Sequence, residues 1–212
     1  MRRMTIPAAA VLAATAVTAI PAQAADVGNH DYLEARYTLL GKVDYGSTDG
    51  DASGLGLEAS RSLNDMMFVR LNADMYDVDI NGQSTNAALD MFSAGPGIRV
   101  PLNTSIPVEL WGEFNYERLS VGGAAATGFG VDLGVRGQFS NRFTAGFALK
   151  SANTEAGSRN YDYTTYELQA AYEINPRLDL TGSLVNGTID RSGNASNIDL
   201  NNLVRIGLRM PF

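Results

Sequence analysis

Apolar residues recur at every second position through most of this sequence, and this alternation is the feature that most constrains the fold. The last segment shows it clearly, with apolar residues at Val204, Ile206, Leu208, Met210 and Phe212. A period of two places these side chains on one face of a β-strand and the residues between them on the other. The chain therefore ends in a strand that has one continuous apolar face.

Ten segments carry this alternation, and no helical pattern competes with it. Four short turn signals alternate with five longer polar stretches, at 46–53, 80–87, 122–127, 154–160 and 190–197. Each segment has the length of a tilted strand that crosses a bilayer, which takes about 9–11 residues. The predicted strands are 32–45, 54–63, 66–79, 88–102, 106–119, 128–139, 142–153, 161–174, 178–189 and 198–212.

The first 24 residues have the pattern of a cleaved secretory signal peptide. Arg2 and Arg3 form a positive head, residues 8–20 are apolar, and Ala22-Gln23-Ala24 fits a small-residue cleavage site. The alternative is an uncleaved apolar anchor, but the apolar run is too short to span a bilayer as a helix. We therefore expect residues 1–24 to be removed and residues 25–212 to form one exported domain.

Composition excludes some function classes. Loss of Arg2 and Arg3 with the leader changes the formal net charge from −7 to −9, and a strongly acidic chain does not suit nucleic-acid binding. The chain has no cysteine, so disulfide bonds do not stabilise it.

The alternation alone does not say which face points inward, because a soluble sandwich or a lipocalin-like barrel would bury the apolar face. Two features of the polar face favour the opposite arrangement. Glycines such as Gly130 and Gly134 lie on it and suit a crowded interior, and it carries charges of both signs, Glu34, Arg36 and Lys42 among them. Charged groups of both signs can pair across the lumen of a closed barrel.

Aromatic residues lie toward both ends of the apolar face, as in the two girdles of a membrane barrel. Within hydrocarbon, β-structure satisfies its backbone only by closing on itself. The sequence thus predicts an all-β fold, a single antiparallel transmembrane β-barrel with ten strands as the first choice and eight as the second. The predicted girdles are Phe139, Phe143, Tyr172 and Phe212 near the short turns, and Tyr116, Phe129 and Tyr166 near the longer loops.

Charged residues on the predicted inner face define a candidate lumen network. Glu109, Glu113 and Glu117 share one strand face and are expected to pair with arginines across the lumen, with Trp111 filling space between them. The alternative is that these carboxylates line a path for cations. The candidate network is Arg70, Arg99, Glu109, Glu113, Asp132, Arg136, Glu167 and Arg205.

Proline in a central strand removes a ladder hydrogen bond, so Pro96 is expected to mark a β-bulge between Gly95 and Gly97.

The leader, the ten alternating segments and the closing "VRIGLRMPF" resemble the small bacterial outer-membrane β-barrel proteins, the porin-like group that includes the OmpA, OmpX and OmpW types. This resemblance implies a bacterial outer-membrane location, with the lipid bilayer and the outer-membrane assembly machinery as partners and a loop ligand that stays unidentified. It also implies that the C-terminal strand is the assembly signal. That signal would comprise Val204, Ile206, Leu208, Met210 and the terminal Phe212.

No catalytic, cofactor or metal site is expected. His30 is the one histidine, lies before the first strand beside Asp31, and is interpreted as a solvated terminal residue; Asp49 and Asp51 are interpreted as part of a turn. The leading hypothesis is a non-enzymatic envelope protein with a structural or surface-interaction role. The alternatives are a narrow channel for small solutes and, less favoured, a barrel enzyme acting on lipid or peptide.

Overall fold

The computed structural model describes residues 27, 30–46, 48–80, 87–102, 104–192 and 197–212, and the predicted signal peptide lies outside these ranges. The described residues contain no helix that is long and apolar enough to span a membrane. The ten strands are β1 (Tyr32–Tyr45), β2 (Thr48–Ser62), β3 (Met67–Ile80), β4 (Ala87–Leu102), β5 (Val108–Val121), β6 (Ala124–Ser140), β7 (Phe143–Ala156), β8 (Arg159–Asn175), β9 (Leu178–Arg191) and β10 (Ile198–Pro211).

The strands form a closed antiparallel barrel in which every strand pairs with its neighbours in sequence. β1 and β10 close the ring, with Tyr32 opposite Pro211 at one end and Tyr45 opposite Ile198 at the other. The predicted ten-stranded antiparallel barrel is thus confirmed. We call the end where β1 begins and β10 finishes the terminal end, and the opposite end the distal end.

The distal connections are shorter than the sequence predicted. Three of the five polar stretches are mostly strand, and the connections that remain are the two-residue segments 46–47, 122–123 and 157–158. Gly122 and Gly123 both have positive φ, 57° and 86°, which a type I′ hairpin turn needs at its two central positions. The predicted loop at 80–87 lies mostly outside the described residues, and so does half of the predicted loop at 190–197.

The apolar face of the strands points outward, as the lipid-facing interpretation requires. Phe129 is 59% exposed and Leu168 is 57% exposed. Two groups of exposed rings mark the limits of this apolar band, one with Phe129 stacked 5.5 Å from Phe114 and the other with Phe139 at 6.2 Å from Phe143. Along β6, ten residues separate Phe129 from Phe139, which spans about 33 Å of strand and about 25 Å of bilayer height at a tilt of roughly 40°.

Beyond the apolar band, at the distal end, the chemistry of the two faces is reversed. Here the outward residues are charged or polar, while the inward residues are apolar and buried. This reversal explains why the loops were predicted too long, because polar outward residues in a strand that rises into water look like loop in the sequence. The exposed outward charges include Asp77, Asp79, Asp90, Arg118, Glu155, Asp162 and Asp190.

The pairing of β1 with β10 is irregular, and as a result one side chain that was predicted to face inward faces outward. The register of β1 against β10 shifts between Thr38 and Lys42, and Asn202 in β10 has a positive φ of 52°. An extra residue in a strand exchanges its inward and outward positions. Thr38, which precedes the shift, is buried in phase with Arg36, whereas beyond the shift the side chain of Lys42 is 61% exposed and lies 3.6 Å from Asp49 on the outside. The prediction that Lys42 faces the lumen is therefore wrong.

Pro96 does not mark the bulge that the sequence suggested. β4 pairs without a register shift against β3, where Pro96 lies opposite Val69. Against β5, the pairs at Gly95 and Pro96 are missing, but the register is the same on both sides of this gap. The missing N–H is therefore accommodated by a local interruption of one ladder. A Cβ atom at Gly95 would lie 2.0 Å from the carbonyl oxygen of Phe114, so the close approach of β5 requires glycine there.

Candidate functional site in the barrel interior

The inward side chains form three layers along the barrel axis. The terminal layer surrounds His30, the middle layer consists of ion pairs, and the distal layer is apolar. Together these layers fill most of the cross-section, which suits a barrel of this strand number. Inward glycines make room for large neighbours: a Cβ atom at Gly134 would lie 2.3 Å from the Trp111 ring, and one at Gly97 would lie 2.4 Å from Phe68.

His30 lies inside the barrel at the terminal end, where its side chain is fully buried. Its Nε2 atom is 2.8 Å from Glu109 Oε1, and its ring lies 4.4 Å from the Phe68 ring, centroid to centroid. Arg136 donates to the same Glu109 oxygen over 2.9 Å. The interpretation of His30 as a solvated terminal residue is therefore wrong. The chain turns into the barrel mouth before β1 begins, and Val27 upstream is also buried.

The environment of His30 favours its neutral form. Burial lowers the pKa of the imidazole below its ordinary value of 6.5, and nearby Arg136 and Arg70 lower it further, while the hydrogen bond to Glu109 opposes the shift. With the proton on Nε2, the imidazole donates to Glu109 while Nδ1, which has no hydrogen-bond partner, carries none. His30 thus acts as a neutral donor that anchors the segment before β1 to the barrel wall.

The middle layer brings oppositely charged side chains of non-adjacent strands together. Arg70 Nη1 lies 2.8 Å from Glu113 Oε2, and the Arg70 guanidinium stacks 4.6 Å from the Trp111 ring centroid. Arg205 Nη2 lies 2.5 Å from Glu167 Oε1, and Arg205 Nη1 lies 3.4 Å from Asp74 Oδ2.

The other members of the predicted lumen network are placed as follows. Arg136 and Arg99 both approach Glu109, at 2.9 Å and 3.9 Å. Asp132 lies 3.9 Å from Lys150, a residue outside the predicted network. The third carboxylate of the β5 face, Glu117, pairs with Lys150 at 3.0 Å and not with an arginine.

Several interior residues lie outside the eight-residue network that the sequence suggested. Arg36 donates to Asp74 and to Glu58, each over 3.0 Å, and Arg209 donates to Glu34 over 2.9 Å. All five residues occupy inward positions in the alternation of their strands, so the sequence pattern could have identified them as interior residues. Their partners could not be assigned because pairing across the lumen depends on strand register and tilt.

Glu117 marks the boundary between the ion pairs and the apolar distal layer. Tyr163 donates its hydroxyl proton to Glu117 Oε2 over 2.5 Å, and its ring packs below the apolar side chains. The distal layer is continuous and almost fully buried, and sequence reasoning missed it. Its members are Val43, Ala52, Tyr76, Val78, Leu89, Met91, Leu119, Ala126, Ala152, Tyr161, Tyr163, Val185, Ile189, Ile198, Leu200 and Leu203.

A cavity of about 120 Å³ remains in the interior below the apolar layer. Charged side chains such as Arg36, Glu113 and Lys150 line one part of it, and small residues of β7 to β9, such as Gly146 and Thr181, line another. The described residues contain no group of three or more His, Cys, Asp and Glu side chains placed to hold a metal ion. The interior is thus a set of matched charges around a small polar cavity.

Four residues predicted to form the assembly signal lie on the outer face of β10, and the fifth, Phe212, directly follows this strand. Their exposed fractions rise along the strand from Val204 to Phe212, so each would contact lipid or another protein from outside the barrel. The Phe212 N–H donates to the carbonyl oxygen of Asp31 over 3.0 Å, and the Arg61 guanidinium lies 5.5 Å from the Phe212 ring centroid.

Comparison with known proteins adds similarity at the level of the fold. Neisserial surface protein A (NspA) is 14% identical, with 85% of this chain and 96% of that chain covered and a TM-score of 0.45. An outer membrane channel from Pseudomonas putida F1 is 11% identical, with 91% and 98% covered and a TM-score of 0.47. The outer membrane protease OmpT from Escherichia coli is 13% identical, with 87% and 98% covered and a TM-score of 0.45.

The neighbours are outer-membrane β-barrel proteins. They include a surface protein, a channel and a protease, so no single activity accompanies this similarity. No protein-family model and no curated protein matches the sequence.

Proposed function

We propose that the chain is a non-enzymatic β-barrel protein of the bacterial outer membrane, with a sealed interior and a structural or surface-interaction role. The observation that carries this proposal is the radial distribution of side chains. An exposed apolar band surrounds the barrel, while arginines and carboxylates such as Arg36 and Asp74 are buried together inside it. A soluble barrel would bury its apolar face in this region.

Support for a membrane location comes from the dimensions and closure of the band. Its height of about 25 Å matches the apolar band of outer-membrane barrels, and aromatic rings lie at both of its edges. Every strand pairs on both sides, so the backbone of the band meets the requirement that hydrocarbon imposes. In this class of barrel the longer excursions beyond the bilayer lie on the extracellular side. The strands here extend beyond the apolar band at the distal end, which supports the terminal end as the periplasmic side.

Support for a sealed interior comes from the three layers acting in series. The His30 cluster obstructs part of the terminal mouth, the ion pairs cross the middle, and the apolar layer closes the distal end. Ions would have to displace buried apolar side chains such as Leu89 and Ile189 in order to pass.

Support for a non-enzymatic role comes from the surroundings of the histidine. Among the described residues, the hydrogen-bond partner of His30 is Glu109, Arg136 Nη2 lies 2.8 Å from the same Nε2 atom, and neither residue offers a hydroxyl or thiol nucleophile. A general base must reach the proton that it removes, and a fully buried imidazole is not exposed to substrate. His30 is therefore assigned a structural role.

Two measurements test this proposal. Gel mobility in detergent should differ between heated and unheated protein, because a closed membrane barrel resists unfolding by detergent until it is heated. In planar bilayers the reconstituted protein should show no steady single-channel conductance, whereas a general porin added to the same bilayers should conduct. Steady conductance of the purified protein would overturn the proposal of a sealed interior and favour the alternative of a narrow channel for small solutes.

A further inference from the structure

The ion pairs of the middle layer form two series in which cations and carboxylates alternate. The longer series runs through Glu167, Arg205, Asp74, Arg36, Glu58, Arg70 and Glu113, with successive charged groups 2.5–3.6 Å apart. In the shorter series, Lys150 Nζ lies 3.0 Å from Glu117 Oε1 and 3.9 Å from Asp132 Oδ2. The two series meet at Glu113 and Asp132, where the alternation is broken because both residues are carboxylates.

These two carboxylates are held against each other by the fold. Glu113 and Asp132 lie directly opposite each other in the β5–β6 ladder, and both line the interior cavity. The Cβ atoms of such a pair are about 4.5–5.5 Å apart, and like charges in this position destabilise a sheet. Gly97, which lies opposite Glu113 on β4, has no side chain that could relieve the repulsion. The repulsion acts inside the barrel, where water screens it less than at the surface.

Each carboxyl of this pair also has one oxygen without a donor. Glu113 Oε1 and Asp132 Oδ1 have no hydrogen-bond partner among the described residues, and the Glu113 side chain is 1% exposed. Burial of an ionised carboxylate is costly unless it is both paired and hydrogen-bonded, and buried polar atoms without a partner are rare. A hydrogen atom on one carboxyl would provide the donor that the other lacks.

The neighbouring cations are too few to neutralise both carboxylates. The charged groups that face the pair are Glu58 of β2, Arg70 of β3, Glu117 of β5 and Lys150 of β7, so two cations serve four carboxylates. The two series together contain six carboxylates and four cations. At the ends of the series this excess is relieved, because Glu167 is 28% exposed and Glu117 accepts a hydrogen bond from a tyrosine hydroxyl. Between Glu113 and Asp132 no such relief is present among the described residues.

We propose that Glu113 and Asp132 form a proton-binding site, in which the two carboxyls share one proton at neutral pH. The proton makes one carboxyl a hydrogen-bond donor to the other, and a hydrogen bond to a charged acceptor is a strong one. It thereby replaces a repulsion and joins the two ion-pair series into one network. The Asp132 side chain is 15% exposed and lines the cavity of about 120 Å³, which gives the proton a path for exchange. The site requires neither a sealed interior nor a membrane location.

Infrared spectroscopy of the folded protein in detergent at pH 7 tests this site. A protonated carboxyl has a C=O stretching band that is separate from the bands of ionised carboxylates and amides, and the parent protein should show it. Glu113→Gln and Asp132→Asn each replace one carboxyl by an amide of nearly the same shape, whose N–H takes the place of the shared proton. The remaining carboxyl then ionises, so each variant should lose the band.

A control variant and a stability measurement make the test specific. Asp90→Asn should leave the band unchanged, because Asp90 is exposed on the outer face of β4. Asp132→Asn leaves the charge of the pair unchanged, so its urea midpoint should stay close to that of the parent. Asp74→Asn should lower the midpoint clearly, because Asp74 serves both Arg36 and Arg205.

The shared proton is excluded if the parent shows no protonated carboxyl at pH 7, or if the band is unchanged in either Glu113→Gln or Asp132→Asn. Loss of the band in Asp90→Asn would exclude it as well, because the signal would then not belong to the pair. A midpoint of Asp132→Asn that falls as far as that of Asp74→Asn would show that Asp132 is an ionised partner in the network, which also contradicts the proposal.

Discussion

His30 Nε2 lies 2.8 Å from Glu109 Oε1, although 79 positions separate the two residues in the sequence. This contact ties the segment before β1 to the inner wall of β5. As a result His30, which precedes the first strand, lies in the barrel interior next to Phe68 and Arg136. The stability of the barrel mouth should therefore depend on His30.

Replacement of His30 by alanine should destabilise the barrel by about 1–3 kcal/mol, because it removes a buried hydrogen bond to a charged group and the ring contact with Phe68. Urea unfolding of the reconstituted protein would measure the loss. Lys42→Ala is a suitable control, since its exposed pair with Asp49 should contribute less than about 1 kcal/mol. Equal stability of His30→Ala and the parent would contradict the anchoring role.

The same contact predicts how stability depends on pH. The pKa of His30 is lowered in the folded barrel, mainly by burial, so the unfolded chain binds more protons between that lowered value and 6.5. The contribution of neutral His30 is fully present above pH 6.5 and is lost as the pH falls through the folded pKa. Because the chain has one histidine, imidazole NMR of the untagged protein reports this site alone. A midpoint at or above 6.5 would exclude the buried neutral imidazole.

The close packing of Trp111 against Gly134 predicts that the interior tolerates no added volume there. A Cβ atom at Gly134 would lie 2.3 Å from the indole, so Gly134→Ala should cost about 1–3 kcal/mol through overpacking. Gly182 is the matched control, because a Cβ atom there would meet nothing nearer than the Arg205 carbonyl oxygen at 3.7 Å. Urea midpoints of the two variants should differ clearly, and similar midpoints would show that the interior is loosely packed.

An arginine on the outer face should destabilise the barrel by an amount that depends on its depth in the apolar band. Leu133 lies midway between Phe129 and Phe139 on β6, so Leu133→Arg should destabilise the barrel in bilayers by about 2–4 kcal/mol. Thr127 is exposed on the same strand beyond Phe129, and Thr127→Arg should cost no more than about 1 kcal/mol. A comparison of their unfolding free energies in lipid vesicles checks this gradient, and equal costs would argue against a bilayer boundary between the two positions.

The alternation predicted the strand number and which residues share a face, because each residue of a strand lies in one of only two environments. The glycines and the charges of both signs on the polar face predicted that the apolar face points outward. Where the environment changes along a strand, the same reasoning failed. The outward face was predicted to be apolar, but Asp77 and Asp79, at the end of the predicted strand 66–79, lie on the outer face above the bilayer, on either side of buried Val78. An inward apolar residue between outward aspartates, as in "DVD", was the available signal.

Two other misassignments had causes that a single sequence does not reveal. Lys42 was placed inside because the bulge that reverses the phase of β1 has no turn residue to mark it except Gly41, over which Leu203 packs. His30 was placed in solvent because its partners Glu109 and Arg136 are distant in sequence, and only the closed barrel brings them together.

The most direct test of the account is the lipid exposure of two outward positions on β8. The chain has no cysteine, so Leu168→Cys and Asp162→Cys each give one nitroxide label in vesicles. A lipid-facing apolar band predicts that the label at Leu168 collides readily with dissolved oxygen and is shielded from a water-soluble nickel complex, whereas the label at Asp162 shows the opposite preference. A Leu168 label that is shielded from both reagents, or that is more accessible to nickel than to oxygen, would contradict the account.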